Sequence, residues 1–323
     1  MEQQVLLKKT TSSEFSLNVN EEQKKSKVKE VVTKTFTYIF LTIVAIFSFL
    51  PFYWMVISSL KTEKEYRASV PSFFPSFALE AKNNYSFLFD TAKTADFPIT
   101  DALINTLLVA IVSTILGLII IIISAYAFAR LEFKGKNLVF SIMMLTMMIP
   151  GELFTTTNFI TVGKFGWNGT YVVMIVPFLV SFYYIFLLRN AFKQIPDSLY
   201  QAAKVDGCSD LGYLVKVMVP LTAPTLTSVA LLKFIGVWNT YIWPRLVNKR
   251  DKSMQLISNW VMQGFADSKG YFTGVEGYGY GVGEPLGSVK MAAVCLVTLP
   301  LVILFICFRK YIMTGVSKSG TKG

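Results

Sequence analysis

Long apolar runs separated by polar segments dominate this sequence. They lie at residues 36–58, 102–129, 137–160, 169–188, 221–246 and 289–312. At roughly 1.5 Å of rise per residue, a helix formed by each run can cross a hydrocarbon layer about 30 Å thick. The pattern therefore predicts an all-α, polytopic membrane protein with six transmembrane helices in one domain, residues 36–315.

Basic residues give this arrangement an orientation. Lys and Arg concentrate in the first 35 residues, after the second and fourth apolar runs, and at the C-terminal end. The positive-inside rule assigns these segments to the cytoplasm. We therefore expect both termini, and the polar segment 189–220, to be cytoplasmic. The lysine-rich residues 1–35 predict a disordered tail, and residues 316–323 predict a short C-terminal tail.

Composition narrows the function classes. The chain is 53% hydrophobic and 16% charged, with a mean hydropathy of +0.50, whereas soluble domains are about 25% charged. The net charge is +11, and the basic residues lie beside apolar runs, as residues that set membrane topology do. Nucleic acid is therefore not an expected partner. The chain has no histidine, and its three cysteines show no CxxC spacing. We therefore expect neither a metal site nor a catalytic residue.

The polar segment between the fourth and fifth runs has the signals of two short helices. Pro196 and Asp197 are typical helix-start residues, and Gly207 is placed to end the first helix in a left-handed cap. Ser209 and Asp210 can start a second helix toward the next span. A helix of about ten residues is marginal alone in water, so the segment either docks a partner or rests on the membrane as an amphipathic connector.

Several side chains of this segment are candidates for a docking surface. Leu199 offers an apolar anchor, and Ala202 and Ala203 are small enough to let a neighbouring helix approach closely. Asp206 lies at the negative end of the first helix, where a carboxylate is disfavoured. We therefore expect Asp206 to accept hydrogen bonds from the turn amides or from the start of the second helix.

The segment resembles the EAA motif of ATP-binding cassette importer permeases. That motif has a Glu, two Ala, an Asp-Gly pair three positions further on, and later prolines. The matching positions here, with Gln in place of the family's Glu, are Gln201, Ala202, Ala203, Asp206, Gly207, Pro220 and Pro224. MMIPGELF, FLLRNAFKQIPDSLYQAA, WNTYIWP and FRKYIMTGVSKSGTKG are similar to the MalG-type, second-permease branch of the carbohydrate importers. Residues 189–220 are called the EAA loop below.

The resemblance implies a permease subunit in a bacterial-type cell membrane, paired with a second permease. It implies two ATP-binding subunits docked on the EAA loop, an extracytoplasmic solute-binding protein, and a sugar substrate, with an oligosaccharide as the default. No cofactor is expected on this chain, because ATP is bound by the partner subunits. Glycerol 3-phosphate or an acidic sugar stays open as the substrate. An ion-coupled secondary transporter is a more distant alternative, which would need intramembrane carboxylates.

Ionisable and polar residues at membrane depth indicate where a pathway could lie. Glu152 follows a helix-breaking Pro-Gly pair, and Lys233 lies near the middle of the fifth run. Such residues are costly unless they face a cavity or each other, so we predict that both face the pathway and could pair. Lys233 could instead snorkel or pack against the partner permease. Asn239, Tyr241 and Trp243 carry amide, phenol and indole groups suited to sugars, although Trp243, near the end of a span, is more typical of a membrane-interface anchor.

Overall fold

The computed structural model describes the backbone of residues 2–76, 83–94, 98–248, 252–265, 272, 274, 284 and 286–317. Side chains are described within these ranges from residue 29 to residue 310, except at residues 83 and 91–94. The described part of the chain is helical and contains no strand. It divides into two units, residues 1–57 and 58–323.

The helices follow one another through the described ranges with short connections. They are α1 Glu2–Ser59, α2 Glu63–Tyr66, α3 Asn83–Thr94, α4 Ile99–Ala129, α5 Lys136–Thr146, α6 Thr155–Lys164, α7 Tyr171–Ile175, α8 Phe182–Lys193, α9 Asp197–Val205, α10 Asp210–Tyr213, α11 Val219–Leu221, α12 Ala223–Trp238, α13 Ile242–Val247, α14 Ile257–Gly264 and α15 Gly287–Ser317. Turns of 3-10 helix lie at Gly151–Phe154, Val176–Phe178 and Lys252–Met254, and a π-helical turn at Leu214–Met218.

The first unit consists of most of α1. The predicted disordered tail over residues 1–35 differs from the structure, where the backbone is helical from Glu2 onward. Lys34 Nζ and Glu30 Oε1 lie 2.6 Å apart, four residues apart in sequence, which is a pairing that stabilises a helix. Charge and low hydrophobicity alone could not distinguish such a helix from a disordered tail.

Three helices in the described residues are long and apolar enough to cross a membrane, namely Lys29–Ser59, Ile99–Ala129 and Gly287–Lys310. Three bent helix pairs bring the number to six if each pair forms one span. They are Lys136–Thr146 with Gly151–Lys164, bent by 88°, Tyr171–Phe178 with Phe182–Lys193, bent by 46°, and Asp210–Leu221 with Ala223–Trp238, bent by 82°.

The break at Pro150 was predicted from the sequence and is confirmed, because proline lacks the amide that continues a helix. The predicted fifth run, 221–246, is not one helix. α12 ends at Trp238, where the Asn239 amide bonds the Ile235 carbonyl at 3.0 Å and the Thr240 amide bonds the Val237 carbonyl at 3.1 Å. Asn and Thr favour such helix ends, although the surrounding hydrophobicity continues through them.

α4 is the central helix of the second unit and packs against α8 and α12, while α12 also packs against α15. Small buried residues on α4, including Ala110, Ser113, Gly117 and Ala125, allow these close contacts. At one end of α4, buried Ile121 and Ala125 pack with Leu188 of α8 and with Tyr213 and Met218 of the EAA loop. The loop is therefore part of the core of this unit.

The beginning of α15 is capped by a carboxylate from α2. Glu63 accepts hydrogen bonds from the amides of Gly287 and Ser288, at 3.1 and 3.0 Å, and from the Ser288 hydroxyl at 2.9 Å. Arg67 donates to the same carboxylate at 2.7 Å. A carboxylate at a helix N-terminus satisfies free amides and complements the helix dipole, so Glu63 fixes the entry of the last span.

Candidate functional site

The EAA loop begins with the two helices that the sequence predicts. α9 starts after Pro196 and ends at Val205, with Gly207 in the left-handed region at φ 73°. The Cys208 amide donates to the Ala203 carbonyl at 2.8 Å, which closes the helix end. Ser209 Oγ then accepts from the Gly212 amide at 3.1 Å and caps α10. The predicted start, stop and second cap are confirmed.

The second half of the loop turns sharply into α12. After α10 the chain forms the π-helical turn Leu214–Met218 and the short α11, and then bends by 82° at Thr222. Thr222 is buried, and its hydroxyl donates to the Met218 carbonyl at 2.8 Å. Ala223 precedes Pro224, a position that disfavours helical backbone. The bend lets the loop run across the end of the helix bundle instead of along it.

The inner face of α9 is held by aromatic and polar contacts. Tyr200 lies edge-on to buried Tyr213, with ring centroids 5.1 Å apart, and donates its hydroxyl to Asp210 at 2.8 Å. Lys204 Nζ also lies 2.8 Å from Asp210. This hydrogen bond raises the pKa of Lys204 above its usual range. Ala203 packs partly buried against the same cluster, so α9 has a fixed orientation.

The outer face of α9 is exposed. Leu199 is 41% exposed and Val205 is 88% exposed, and Gln201 and Ala202 point to the same open side. Of the two predicted small residues, therefore, only Ala202 is free for close approach. Burying such apolar groups is favourable, so this face can receive a partner surface.

Asp206 differs from its predicted role. Its carboxylate is exposed and forms no hydrogen bond with the described residues, whereas Ser209 caps the second helix and Asp210 joins the polar contacts. The Asp206 amide donates to the Ala202 carbonyl at 3.0 Å, and the Gly207 amide donates to the Lys204 carbonyl at 3.1 Å. The turn is thus closed by main-chain groups, which leaves the carboxylate of Asp206 free. Pro220 is exposed in α11.

Arg130 ties the beginning of α9 to the end of α4. Its guanidinium forms an ion pair with Asp197, the first residue of α9, and donates to the carbonyl oxygens of Phe192 and Ile195. Phe192 lies in the last turn of α8, where its carbonyl also accepts from the Ile195 amide at 3.3 Å, and Ile195 lies just beyond the helix end, where helical partners are missing. A charged fork that meets a carboxylate and two carbonyls is a strong, oriented contact. Movement of α9 is therefore directly linked to α4.

Arg189 makes a second connection at the same end of the bundle. It is buried, donates from Nε to the Phe128 carbonyl at 3.1 Å, and lies 3.8 Å above the ring centroid of Phe140. The contact joins α8 to the end of α4 and to α5. Arg130 and Arg189 belong to the basic residues after the second and fourth apolar runs, which indicated only the orientation of the chain. Both arginines lie directly after or near helix ends, beside free carbonyls. This position was the sequence signal that could have predicted their contacts with those carbonyls.

The chain matches the family described as binding-protein-dependent transport system inner membrane component over residues 117–318, which include the EAA loop with its capped turn. The chain belongs to this permease family. The trehalose/maltose transport system permease protein MalG of Thermococcus litoralis is 31% identical over 300 residues, which cover 91% of this chain and 99% of that one. YtcP of Bacillus subtilis, a polygalacturonan/rhamnogalacturonan transport system permease protein, is 27% identical over 291 residues, covering 88% and 96%.

A solved structure has a similar fold. A crystallised bacterial ABC transporter, described as involved in the import of the acidic polysaccharide alginate, contains a chain that aligns with a TM-score of 0.70 and 21% identity. The alignment covers 87% of this permease and 96% of that chain. The arrangement of broken and continuous helices described above is thus a fold known among ABC transporters.

The second candidate site of the permease is a cavity of about 280 Å³ beside α12. It is bordered by α4, by the break between α7 and α8, and by the break between α12 and α13. Lys233 lines it and is only 5% exposed. Its Nζ donates to the carbonyls of Phe178 and Leu179, at 2.8 and 3.5 Å. These carbonyls belong to the break between α7 and α8, where helical partners are missing.

The predicted pathway residues are only partly brought together. Glu152 is exposed in the 3-10 turn after Pro150, and Lys233 bonds main-chain carbonyls, so the pairing of these two residues was wrong. Asn239 is exposed at the end of α12, and the Tyr241 hydroxyl accepts from Arg245. Neither borders the cavity. Thr240 and Trp243 of the same segment do.

Trp243 is not the interface anchor that its place near a span end favoured. It is 5% exposed, and its indole donates to the Val173 carbonyl at 2.9 Å. Its ring meets Phe178 edge-on, with centroids 5.4 Å apart. α12 ends at Trp238, and Trp243 belongs to the next helix, α13, in which Pro244 and Val247 are buried as well. Trp243 therefore forms one wall of the cavity.

Proposed function

We propose that this permease forms, with a second permease, the membrane pathway of an ATP-driven sugar importer. Each bent helix pair then counts as one span, which gives six spans with both termini in the cytoplasm. Two ATP-binding subunits dock on the EAA loop, and an extracytoplasmic solute-binding protein delivers the sugar. The chain itself binds no cofactor, and ATP is hydrolysed on the separate subunits. The family and the length and composition of the helices support this assignment.

The exposed apolar side chains of the EAA loop are the observation that carries the proposal. Leu199 and Val205 on α9 are joined by Leu211, 67% exposed, and Val215, 57% exposed. They lie on a loop that is rigid on its inner face and polar elsewhere. Apolar groups rimmed by polar ones are typical of protein interaction sites. From the family, the partner we expect at this surface is the ATP-binding subunit.

The contacts of α9 also suggest how the closing of the ATP-binding subunits reaches the membrane. A displacement of α9 acts on α4 through Arg130 and on α12 through the bend at Thr222. α4 and α12 pack against each other and border the cavity. A rigid element linked to two spans can convert a movement at the membrane surface into a rearrangement of the pathway.

The pathway side of the proposal rests on the cavity and on the exposed break residues. Lys233 borders the cavity, and Glu152, Asn239 and Tyr241 lie at helix breaks. Irregular backbone at membrane depth is tolerated where it is buried in protein or lines a water-filled space. We assign these four residues to the permeation pathway, without the ion pair between Glu152 and Lys233. Of the C-terminal tail, residues 318–323 lie outside the described residues.

The substrate class follows from the relatives named above. One is named for trehalose and maltose and the other for polygalacturonan and rhamnogalacturonan. An oligosaccharide is therefore the substrate we propose. An acidic sugar or glycerol 3-phosphate is the second candidate, because Lys233 puts a basic group beside the cavity.

Reconstitution tests this function. The permease, its partner permease and the ATP-binding subunits are placed in liposomes, and uptake of a radiolabelled oligosaccharide is followed with binding protein added outside. We expect uptake only when ATP is enclosed and the binding protein is present, and no effect of ionophores. Uptake that continued without ATP and collapsed with a proton or sodium ionophore would identify an ion-coupled transporter instead.

A further inference from the structure

The charge of Lys233 has no counter-charge in the described part of the chain. Its two hydrogen bonds go to main-chain carbonyls, and no described carboxylate forms an ion pair with it. Carbonyl dipoles orient an ammonium group but leave its formal charge. An ammonium group has three donors, and the carbonyls use two, the second at 3.5 Å. One donor and the net charge are therefore available on the cavity side.

A purely structural role does not account for this charge. The lysine stem lies against α4 at Gly117, where an added Cβ would be 2.1 Å from Lys233 Cε. A methionine could fill the same groove without the cost of removing an ammonium group from water. Ionisable groups at membrane depth are costly, and they mark substrate or ion pathways. The charge thus has a use beyond packing.

The other walls of the cavity supply the rest of a sugar site. Ser181 and Tyr184 line it, and their hydroxyls have no hydrogen-bond partner among the described residues. Phe178 and Trp243 add aromatic surface. Sugars present hydroxyls at their edges and C–H groups on their faces, and the cavity offers a matching group for each. A few placed polar groups in a mainly apolar cavity are the usual form of a ligand site.

We propose that Lys233, Ser181 and Tyr184 bind the carboxylate of an acidic sugar, such as a uronic acid residue, on its way through the membrane. The inference rests on the proposed importer function and narrows its substrate class. The ammonium of Lys233 meets the carboxylate, the two hydroxyls donate to the same carboxylate, and Phe178 and Trp243 pack on the ring. A neutral sugar leaves the buried charge without a partner.

A pair of probes that differ in charge, with a methyl group added to each carboxyl of the uncharged one, tests the site. Trigalacturonic acid and its fully methyl-esterified form are titrated into the purified complex of both permeases and the ATP-binding subunits in lipid nanodiscs, without nucleotide, by calorimetry. We expect the acid to bind about tenfold more tightly than the ester, which corresponds to about 1.4 kcal/mol. Lys233→Met should remove the difference. Lys290→Met, at a lysine that does not border the cavity and donates to the Phe265 carbonyl, should keep it.

Equal binding of acid and ester to the unaltered complex, or no binding of either, would overturn the site. Retention of the tenfold preference in Lys233→Met would do the same. If the complex that carries Lys233→Met fails to assemble, Tyr184→Phe serves as the second variant, because it removes a single oxygen. It should weaken the binding of the acid more than the binding of the ester. An equal effect on both probes would contradict the proposal. ATP-driven uptake of a neutral oligosaccharide would leave the importer function intact in each of these cases.

Discussion

The EAA loop and the Lys233 cavity each hold a basic side chain against main-chain carbonyls, but only the loop neutralises it. Arg130 meets two carbonyls and the carboxylate of Asp197, whereas Lys233 meets two carbonyls and, within the described ranges, no carboxylate. A cation held by a carboxylate and two carbonyls joins the ends of α4, α8 and α9, because losing its guanidinium breaks three contacts at once. A cation without a counter-ion is instead available to bind an anionic group of the solute. Transmission of force and recognition of solute thus use the same side-chain chemistry in different ways.

The largest effect is expected at the turn of the EAA loop. Gly207→Val puts a β-branched residue at φ 73°, where no atom crowds an added Cβ, so the change acts on the backbone alone at about 1–2 kcal/mol. ATP-driven uptake should fall by about tenfold, with membrane insertion unchanged. Gly166→Val is the matched control, because Gly166 has φ 69° and equally open surroundings outside the loop. Equal loss of uptake in both variants would remove the special role of the turn.

The next effect is expected at the tie between α9 and α4. Arg130→Met leaves the Ile195 carbonyl without its donor and removes one of the two donors to the Phe192 carbonyl, and an unsatisfied group of this kind costs about 1–3 kcal/mol. Sugar transported per ATP hydrolysed should fall about fivefold. Asp197→Asn should have a smaller effect, because Asp197 is exposed. Lys136→Met breaks an ion pair with exposed Glu132 on the same side and should change the ratio little; a fall as large as that of Arg130→Met would contradict the tie.

A smaller effect is expected at the cavity. Gly117→Ala forces the flexible end of Lys233 away from its carbonyls, and a displaced rotamer costs about 0.5–1.5 kcal/mol. The affinity of the complex for trigalacturonic acid should fall about threefold. Gly236→Ala adds the same methyl group beside the same cavity, but in open space, and should leave the affinity unchanged. If the two variants behaved alike, the position of Lys233 would not control binding.

The smallest effect is expected inside the loop itself. Tyr200→Phe removes the hydrogen bond to Asp210, which is worth about 0.5–1.5 kcal/mol, so amide exchange across α9 and α10 should quicken about twofold. Uptake should change less than twofold. Lys204→Met breaks only the exposed ion pair with the same carboxylate and should leave exchange nearly unaltered. Faster exchange in Lys204→Met than in Tyr200→Phe would reverse this order of contributions.

The local geometry of the EAA loop could be predicted from the sequence because its signals are contiguous. Pro196 starts α9, Gly207 ends it and Ser209 caps α10, and each acts within a few residues of its place in the chain. The inward orientation of Ala203 and the exposed carboxylate of Asp206 could not be predicted, because they depend on what packs beneath α9.

The cavity could not be predicted, because its parts come from distant segments. Lys233 meets carbonyls 54 and 55 residues away in sequence, and Gly117 belongs to a third helix. Hydrophobic periodicity shows which residues avoid water but not which helices touch. The predicted pairing of Lys233 with Glu152 was wrong for this reason. The predicted position of Trp243 was wrong because the apolar run continues through the break at Asn239 and conceals it.

Photo-crosslinking from α9 tests the central claim, that its exposed face docks on an ATP-binding subunit, most directly. A photoreactive amino acid is introduced at Val205, which is 88% exposed, in complexes with normal uptake. A second complex carries it at Phe165, 63% exposed and predicted to lie on the extracytoplasmic side. We expect Val205 to crosslink to the ATP-binding subunit, with a yield that changes when ATP is added, and Phe165 not to crosslink to it. An active complex in which Val205 gives no such crosslink would contradict the account.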